Sequence, residues 1–126
     1  MVIGVTGANG FLGRYLTQNL TAAGYDVLAS VRSEAAKGYF ERKNVDVYFG
    51  DLLIRKNCDD FIRQIDCVIH LAHSSFPLSA KDNLVDETVK NISPSLHLLE
   101  SIRLAKKKIK IIYASSGGTV YADNFS

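Results

Sequence analysis

The hydrophobic pattern of this chain switches repeatedly between two periods. Short, nearly unbroken apolar runs occur at Val2-Ile3-Gly4-Val5, Val27-Leu28-Ala29-Ser30-Val31, Val45-Asp46-Val47-Tyr48-Phe49, Cys67 to Ala72 and Ile109 to Ala114. Runs of this length and content read as strands buried on both faces. Between them, apolar residues recur at helical spacing. Leu12, Tyr15, Leu16, Leu20 and Ala23 fall on one helix face, and Gly24 stands where a C-terminal cap belongs. A short helix from Ala35 to Phe40 follows the second strand. The third strand ends at Gly50-Asp51, and a helix around Asp59 to Gln64 leads to the fourth. A loop from His73 to Ala80 then opens into a long helix from about Asp82 to Lys106, where Val85, Val89, Ile92, Leu96 and Leu99 alternate spacings of four and three. Alternating strands and helices predict an α/β domain built on a doubly wound parallel sheet of order 3-2-1-4-5. Ligands of such sheets bind in the crevice outside the carboxyl ends of the strands. Gly7, Arg32, Asp51, Ala72 and Ser115 all stand at such ends, so one crevice should collect them.

The first strand runs into Thr6-Gly7-Ala8-Asn9-Gly10-Phe11-Leu12-Gly13, three glycines at spacing three before a helical pattern. A strand, a tight glycine turn and a helix N-terminus together present bare amides and a positive dipole end to a pyrophosphate. The alternative is an ordinary glycine-rich turn; a strand before the glycines and a helix after them favour the phosphate reading. This stretch resembles the short-chain dehydrogenase/reductase superfamily, and within it the extended branch, the NAD(P)-dependent epimerase/dehydratase family. The resemblance implies a Rossmann-type fold and assigns Gly7, Asn9, Gly10, Phe11, Leu12 and Gly13 to the cofactor.

Where an NAD site usually has an acidic residue after the second strand, this chain has Val31-Arg32-Ser33. A guanidinium suits a ribose 2′-phosphate, so NADP is favoured over NAD; the other reading of Arg32 is a solvated residue at a helix start. Arg14 stands near enough to add charge to the same region, or to face solvent. Gly50-Asp51-Leu52 resembles the family segment whose Asp bonds the adenine amino group and whose next residue covers the ring. The alternative for Asp51 is a helix N-cap. Val68-Ile69-His70-Leu71-Ala72 resembles the fourth-strand signature, which places Leu71 and Ala72 at the cofactor ribose. His70 and His73 do not suggest a metal, because strand residues three apart point to opposite faces. His73 stands where the family usually has a small residue.

Two further segments carry resemblance to the catalytic parts. Asn91 matches the Asn that helps hold a proton-relay water, with a solvent-facing Asn as the alternative. Pro94 removes the amide that would bond the Lys90 carbonyl, which predicts a local kink beside it. Ala114-Ser115-Ser116-Gly117-Gly118-Thr119-Val120-Tyr121 resembles the segment that supplies the hydroxyl bonding the reacting oxygen. Alignment from the strand gives that role to Ser116, with Ser115 next; alignment from Val120-Tyr121 falls on Gly117.

The remaining observations set bounds. The chain has 126 residues, 47% hydrophobic and 22% charged, with a net charge of +2, values that suit one domain with a core. So mild a positive charge argues for neither nucleic acid nor a membrane surface. Lys106, Lys107, Lys108 and Lys110 gather where a helix dipole favours cations. Met1 leads directly into a strand, and Cys58 and Cys67 lack metal-ligand spacing, so both read as free thiols of a cytoplasmic protein. Family chemistry also requires a Tyr-x-x-x-Lys about two dozen residues beyond the Ser, and the chain reaches Ser126 first. Tyr39-x-x-x-Lys43 matches in letters but lies on the adenine side. The expectation is an N-terminal portion, truncated after the fifth strand and inactive alone, of a homo-oligomeric NAD(P)-dependent epimerase/dehydratase acting on a nucleotide sugar. A reductase of the same superfamily and a non-catalytic dinucleotide-binding module are the alternatives. A downstream Tyr-x-x-x-Lys would separate the last from the others.

Overall fold

The computed structural model describes residues 1–72 and 84–114. In chain order the elements are β1 (Val2–Thr6), α1 (Phe11–Ala22), β2 (Asp26–Val31), α2 (Glu34–Glu41), β3 (Asp46–Phe49), α3 (Arg55–Arg63), β4 (Cys67–His70), α4 (Leu84–Leu104) and β5 (Lys110–Tyr113). The strands form one parallel sheet of order β3-β2-β1-β4-β5, as the sequence pattern predicts. Strand order reverses between β2 and β4 on either side of β1, where Gly4 stands opposite Leu28 in one strand and Val68 in the other.

Period-two alternation divides the buried residues between two faces. Ile3, Val5, Val27, Ala29 and Val31 pack with Ala36 and Phe40 of α2, and half-buried Leu20 of α1 joins them. Leu28 and Val68 point the other way, into a cluster with Cys58, Phe61 and Ile62 of α3, Leu98 of α4, Ile65 and Ile109. At the sheet edge away from the strand carboxyl ends, Asp66 ties three strands together. Its carboxylate accepts the Val2 amide at 2.8 Å, its amide donates to the Val2 carbonyl, and its carbonyl accepts the Lys110 amide. The Val2 amide, with Lys107 second, holds this carboxyl below the usual aspartate range.

Both helices of the first face end in closely related ways. The Tyr25 amide returns to the Leu20 carbonyl and the Gly24 amide to Thr21, closing a Schellman motif at the expected Gly24. The Val45 and Asn44 amides repeat the pattern after α2, with Asn44 left-handed at φ 56°.

Periodicity does not say which stripe of a helix meets the sheet. Along α1, Gly13 and Thr17 are the buried residues, whereas Leu12 and Tyr15 are 55% and 66% exposed. A backbone contact made by Gly13, described below, sets the rotation of this helix, and apolar count does not. Along α4, Leu98 and Ser101 face inward, while Val85, Val89, Ile92, Leu96 and Leu99 are all exposed. Helix α3 begins at Arg55 rather than near Asp59, and its N-cap Ile54 offers no capping side chain for the sequence to reveal. α4 continues as one helix through Pro94. Among the described residues no helix is long and apolar enough to cross a membrane.

Phe61 is fully buried at the centre of the α3–α4 cluster. Phe61→Ala should lower the unfolding free energy by about 3–5 kcal/mol, and Ile65→Val by about 0.5–1.5 kcal/mol. Urea unfolding read as a midpoint shift at constant slope checks both values.

Candidate functional site

The turn between β1 and α1 is built by backbone. Gly7 is left-handed at φ 67°, and its carbonyl accepts the Gly10 amide at 3.0 Å. A Cβ on Gly7 would meet the Leu71 carbonyl group and the Ala72 nitrogen at 2.7–2.8 Å. A Cβ on Gly13 would overlap the Gly7 oxygen and lie 2.7 Å from the Ala8 backbone. A larger residue at Gly13 would push α1 away from the end of β1, and one at Gly7 would push away the Leu71–Ala72 backbone that follows β4. Gly10 caps α1 without a side chain, and no acidic residue occupies the first turn. The Arg14 amide donates to the Gly10 carbonyl at 2.9 Å, which leaves the amides of Phe11, Leu12 and Gly13 without an intrahelical acceptor. These three residues therefore offer main-chain donors at the positive end of the helix. The side chains of Phe11, 97% exposed, and Leu12, 55% exposed, do not line the site.

In front of this turn lies a cleft of about 510 Å³ at the carboxyl ends of the strands. It brings together Gly7, Asn9, Gly10, Arg32, Asp51, Leu52, Leu71 and Ala72. Asn9 is oriented from behind. Arg14 donates through Nε at 3.1 Å and Nη2 at 2.6 Å to Asn9 Oδ1, while its guanidinium stacks 4.2 Å above the Tyr39 ring. With Oδ1 turned to Arg14, the amide nitrogen of Asn9 faces the opposite way. Arg14 is thus engaged with Asn9. Tyr39 accepts a hydrogen bond from Gln18, and Lys43 Nζ lies 5.5 Å from its ring. The pair belongs to the α1–α2 packing.

Arg32 is exposed and immediately precedes Ser33, whose Oγ accepts the Ala36 amide at 3.2 Å and caps α2. Asp51 does not cap α3. Its Oδ1 accepts the Leu53 amide at 2.9 Å, closing a turn onto the residue two ahead, and Oδ2 has no hydrogen-bond partner among the described residues. The Asp51 carbonyl accepts from Asn57, and the Leu52 carbonyl accepts the Cys58 thiol at 3.3 Å with His97 Nδ1 at 3.4 Å. These contacts fix the back of the cleft to α3 and α4. Burial first, then the nearby Asp59 carboxylate, pushes the Cys58 thiol up to about 12.

Sequence reasoning missed Ser30, Ser33, Lys90 and Pro94, which also line the cleft. Ser30 was signalled by standing two residues before Arg32, at the end of β2, and Lys90 by the missing Pro94 amide one turn on. Arg32 and Lys90 against Asp51 leave the described charged lining net positive, which suits a pyrophosphate. Asn91 is half-buried on α4 beside Lys90 but is not part of the lining. Ser115, Ser116 and His73 lie outside the described residues.

A doubly wound parallel sheet whose strand-order switch faces a glycine turn and an uncapped helix N-terminus defines a Rossmann-type dinucleotide-binding domain. The model of the NAD dependent epimerase/dehydratase family matches residues 3–126, and the chain belongs to that family. It is 32% identical over 127 residues to a dihydroflavonol 4-reductase of Callistephus chinensis, covering 92% of this chain and 34% of the reductase. Among solved structures, the UDP-glucose 4-epimerase of Thermotoga maritima with UDP-glucose superposes with a TM-score of 0.79 at 27% identity. That match covers 94% of this chain and 38% of the epimerase. The UDP-glucose 4-epimerase of Bifidobacterium longum in complex with NAD+ and UDP gives a TM-score of 0.79 at 26% identity, covering 93% and 37%. The chain spans about a third of the length of the curated relatives it matches.

The elevated Cys58 thiol carries a pH consequence. Its folded pKa lies above the ordinary value of 9.0, so its contribution is complete below about pH 9 and is lost as pH rises toward 12. The urea midpoint should fall between about pH 8 and about pH 10.5, and Cys58→Ala should flatten that fall. A native thiol that reacts with Ellman's reagent at about pH 8 as fast as the unfolded chain would contradict this assignment.

Proposed function

We propose that residues 1–126 form the dinucleotide-binding part of a nicotinamide-dependent epimerase or dehydratase acting on a nucleotide-activated sugar, with NADP(H) preferred. The observation that carries the reading is the convergence on one cleft of Gly7, Asn9, the α1 N-cap Gly10, Arg32 and Asp51. The open amides of residues 11–13 would hold the pyrophosphate, and Arg32 the 2′-phosphate. The remaining Asp51 oxygen would meet the adenine amino group, with Leu71 and Ala72 along the ribose. The bound cofactor would exchange hydride with a substrate carbon. Asn91 would belong to a proton relay near the reacting oxygen and Ser116, or Ser115, would bond that oxygen; both assignments rest on family resemblance. A reductase of the same family is the second reading, favoured by Arg32 and by the likeness to dihydroflavonol 4-reductase. A cytoplasmic location belongs to the same proposal, since Cys58 and Cys67 are both unpaired and buried.

The exposed apolar stripe of α4 supports homo-oligomerisation. Val85, Val89, Ile92, Leu96 and Leu99 recur at the spacing of a helix–helix seam and face away from the sheet.

Two measurements test these readings. A charge-assisted contact to a phosphate contributes about 1.5–3 kcal/mol, so NADP(H) should bind at least about tenfold more tightly than NAD(H). Arg32→Ala should remove that difference while leaving NAD(H) affinity nearly unchanged. Equal affinity for the two cofactors in the native chain would refute the preference. For association, sedimentation should show a species that dissociates on dilution and is lost in Leu96→Lys. A monomer at every concentration would refute the oligomer.

A further inference from the structure

His70 and Thr6 lie beneath the cleft, 1% and 0% exposed, and neither has a role in the reading above. Thr6 is the last residue of β1, directly before Gly7, and His70 is the last of β4, directly before Leu71. Their hydrogen bonds favour one arrangement of protons. Thr6 Oγ1 lies 3.2 Å from the Leu71 nitrogen, 3.3 Å from the Ala72 nitrogen and 2.6 Å from His70 Nδ1. A hydroxyl has two acceptor sites and one hydrogen, and a backbone amide can only donate. The two amides therefore fill the acceptor sites, although the Leu71 amide is shared with the Thr6 carbonyl at 3.2 Å. The Thr6 hydrogen then goes to His70 Nδ1, which must be bare. The ring proton sits on Nε2, 2.8 Å from Ser95 Oγ on α4, and His70 donates there.

Read this way, donation runs from the Leu71 and Ala72 amides to Thr6, from Thr6 to His70, and from His70 to Ser95. This chain joins three of the elements that border the cleft, β1, β4 and α4. Leu71 and Ala72 line it, and they are the backbone groups a Gly7 side chain would meet at 2.7–2.8 Å. Pro94, next to Ser95, lines it from α4. We propose that His70 is a positioning residue of the cleft, held as the neutral Nε2–H tautomer so that Thr6 pins the β4 end over Gly7 at the distance a dinucleotide requires. The proposal rests on the dinucleotide reading of the cleft. It adds a residue that touches no ligand and acts through Thr6.

The test has a spectroscopic arm and a binding arm. A long-range ¹H–¹⁵N spectrum of the histidine-labelled chain, with His70 assigned by comparison with His70→Asn, should show a protonated Nε2 and a bare Nδ1. A ring protonated on Nδ1 overturns the proposal whatever the variants bind. In the binding arm, NADP⁺ is titrated into the native chain and four variants. His70→Asn keeps an acceptor at the Nδ1 position and Thr6→Ser keeps the hydroxyl, so both should stay within about threefold of native. His70→Leu and Thr6→Val leave buried partners unsatisfied and should weaken binding about tenfold or more. Native binding retained in His70→Leu overturns the proposal while leaving the dinucleotide reading intact. A native chain that binds neither NADP⁺ nor NAD⁺ overturns the reading and the proposal together.

Discussion

The contact between Gly13 and the backbone of Gly7 and Ala8 is the constraint on which the functional end of this molecule depends. A single Cβ at Gly13 would overlap the Gly7 oxygen, so α1 can approach the end of β1 only because that atom is missing. The close approach has two effects. It rotates α1 so that Gly13 and Thr17 face the sheet, leaving Leu12 and Tyr15 outside despite their apolar character. It also brings the first turn of the helix to the strand-order switch with its amides unpaired. Packing and the exposure of these amides are here one geometric requirement, met by residues with little or no side chain.

Around that contact the cleft is held from behind by groups that take no part in lining it. Arg14, stacked on Tyr39, turns Asn9. Cys58 and His97 approach the Leu52 carbonyl from α3 and α4. Thr6 and His70 lock the β4 end. Each of these groups is satisfied by protein, whereas the first amides of α1, the Arg32 guanidinium and one oxygen of Asp51 have no hydrogen-bond partner among the described residues. That division is what preorganises a site: the supporting bonds are made before any ligand arrives, so little ordering remains to be done on binding.

Much of this was legible in the sequence. The sheet order followed from the alternation of strand and helix, because parallel connections of one hand admit few arrangements. The glycine spacing, Arg32, Asp51, Leu71 and Ala72 were legible because residues at the carboxyl ends of parallel strands share a crevice by topology alone, whatever their side chains do. Less legible were the residues whose roles depend on rotation and depth. Periodicity showed that α1 and α4 were amphipathic but could not say which stripe met the sheet. On α1 a backbone clash decided it, and on α4 the inward positions are Leu98 and Ser101 while the longer stripe faces out. Asp51 had two readings of equal weight until the Leu53 amide showed that it closes a turn rather than caps a helix.

The sequence by itself therefore determined the order of elements, the strand topology and the identity of the end at which chemistry can collect, since these depend on local periodicity and on the handedness of L-amino-acid chains. Tertiary structure decided which faces were buried, which polar groups supported others and where protons lay. The His70 tautomer is the clearest instance. It depends on Thr6, 64 residues away in sequence, and on two amides whose direction exists only once β4 lies beside β1. No pattern along the chain encodes a relation of that kind, because it is set by distances between strands and not by spacing within one.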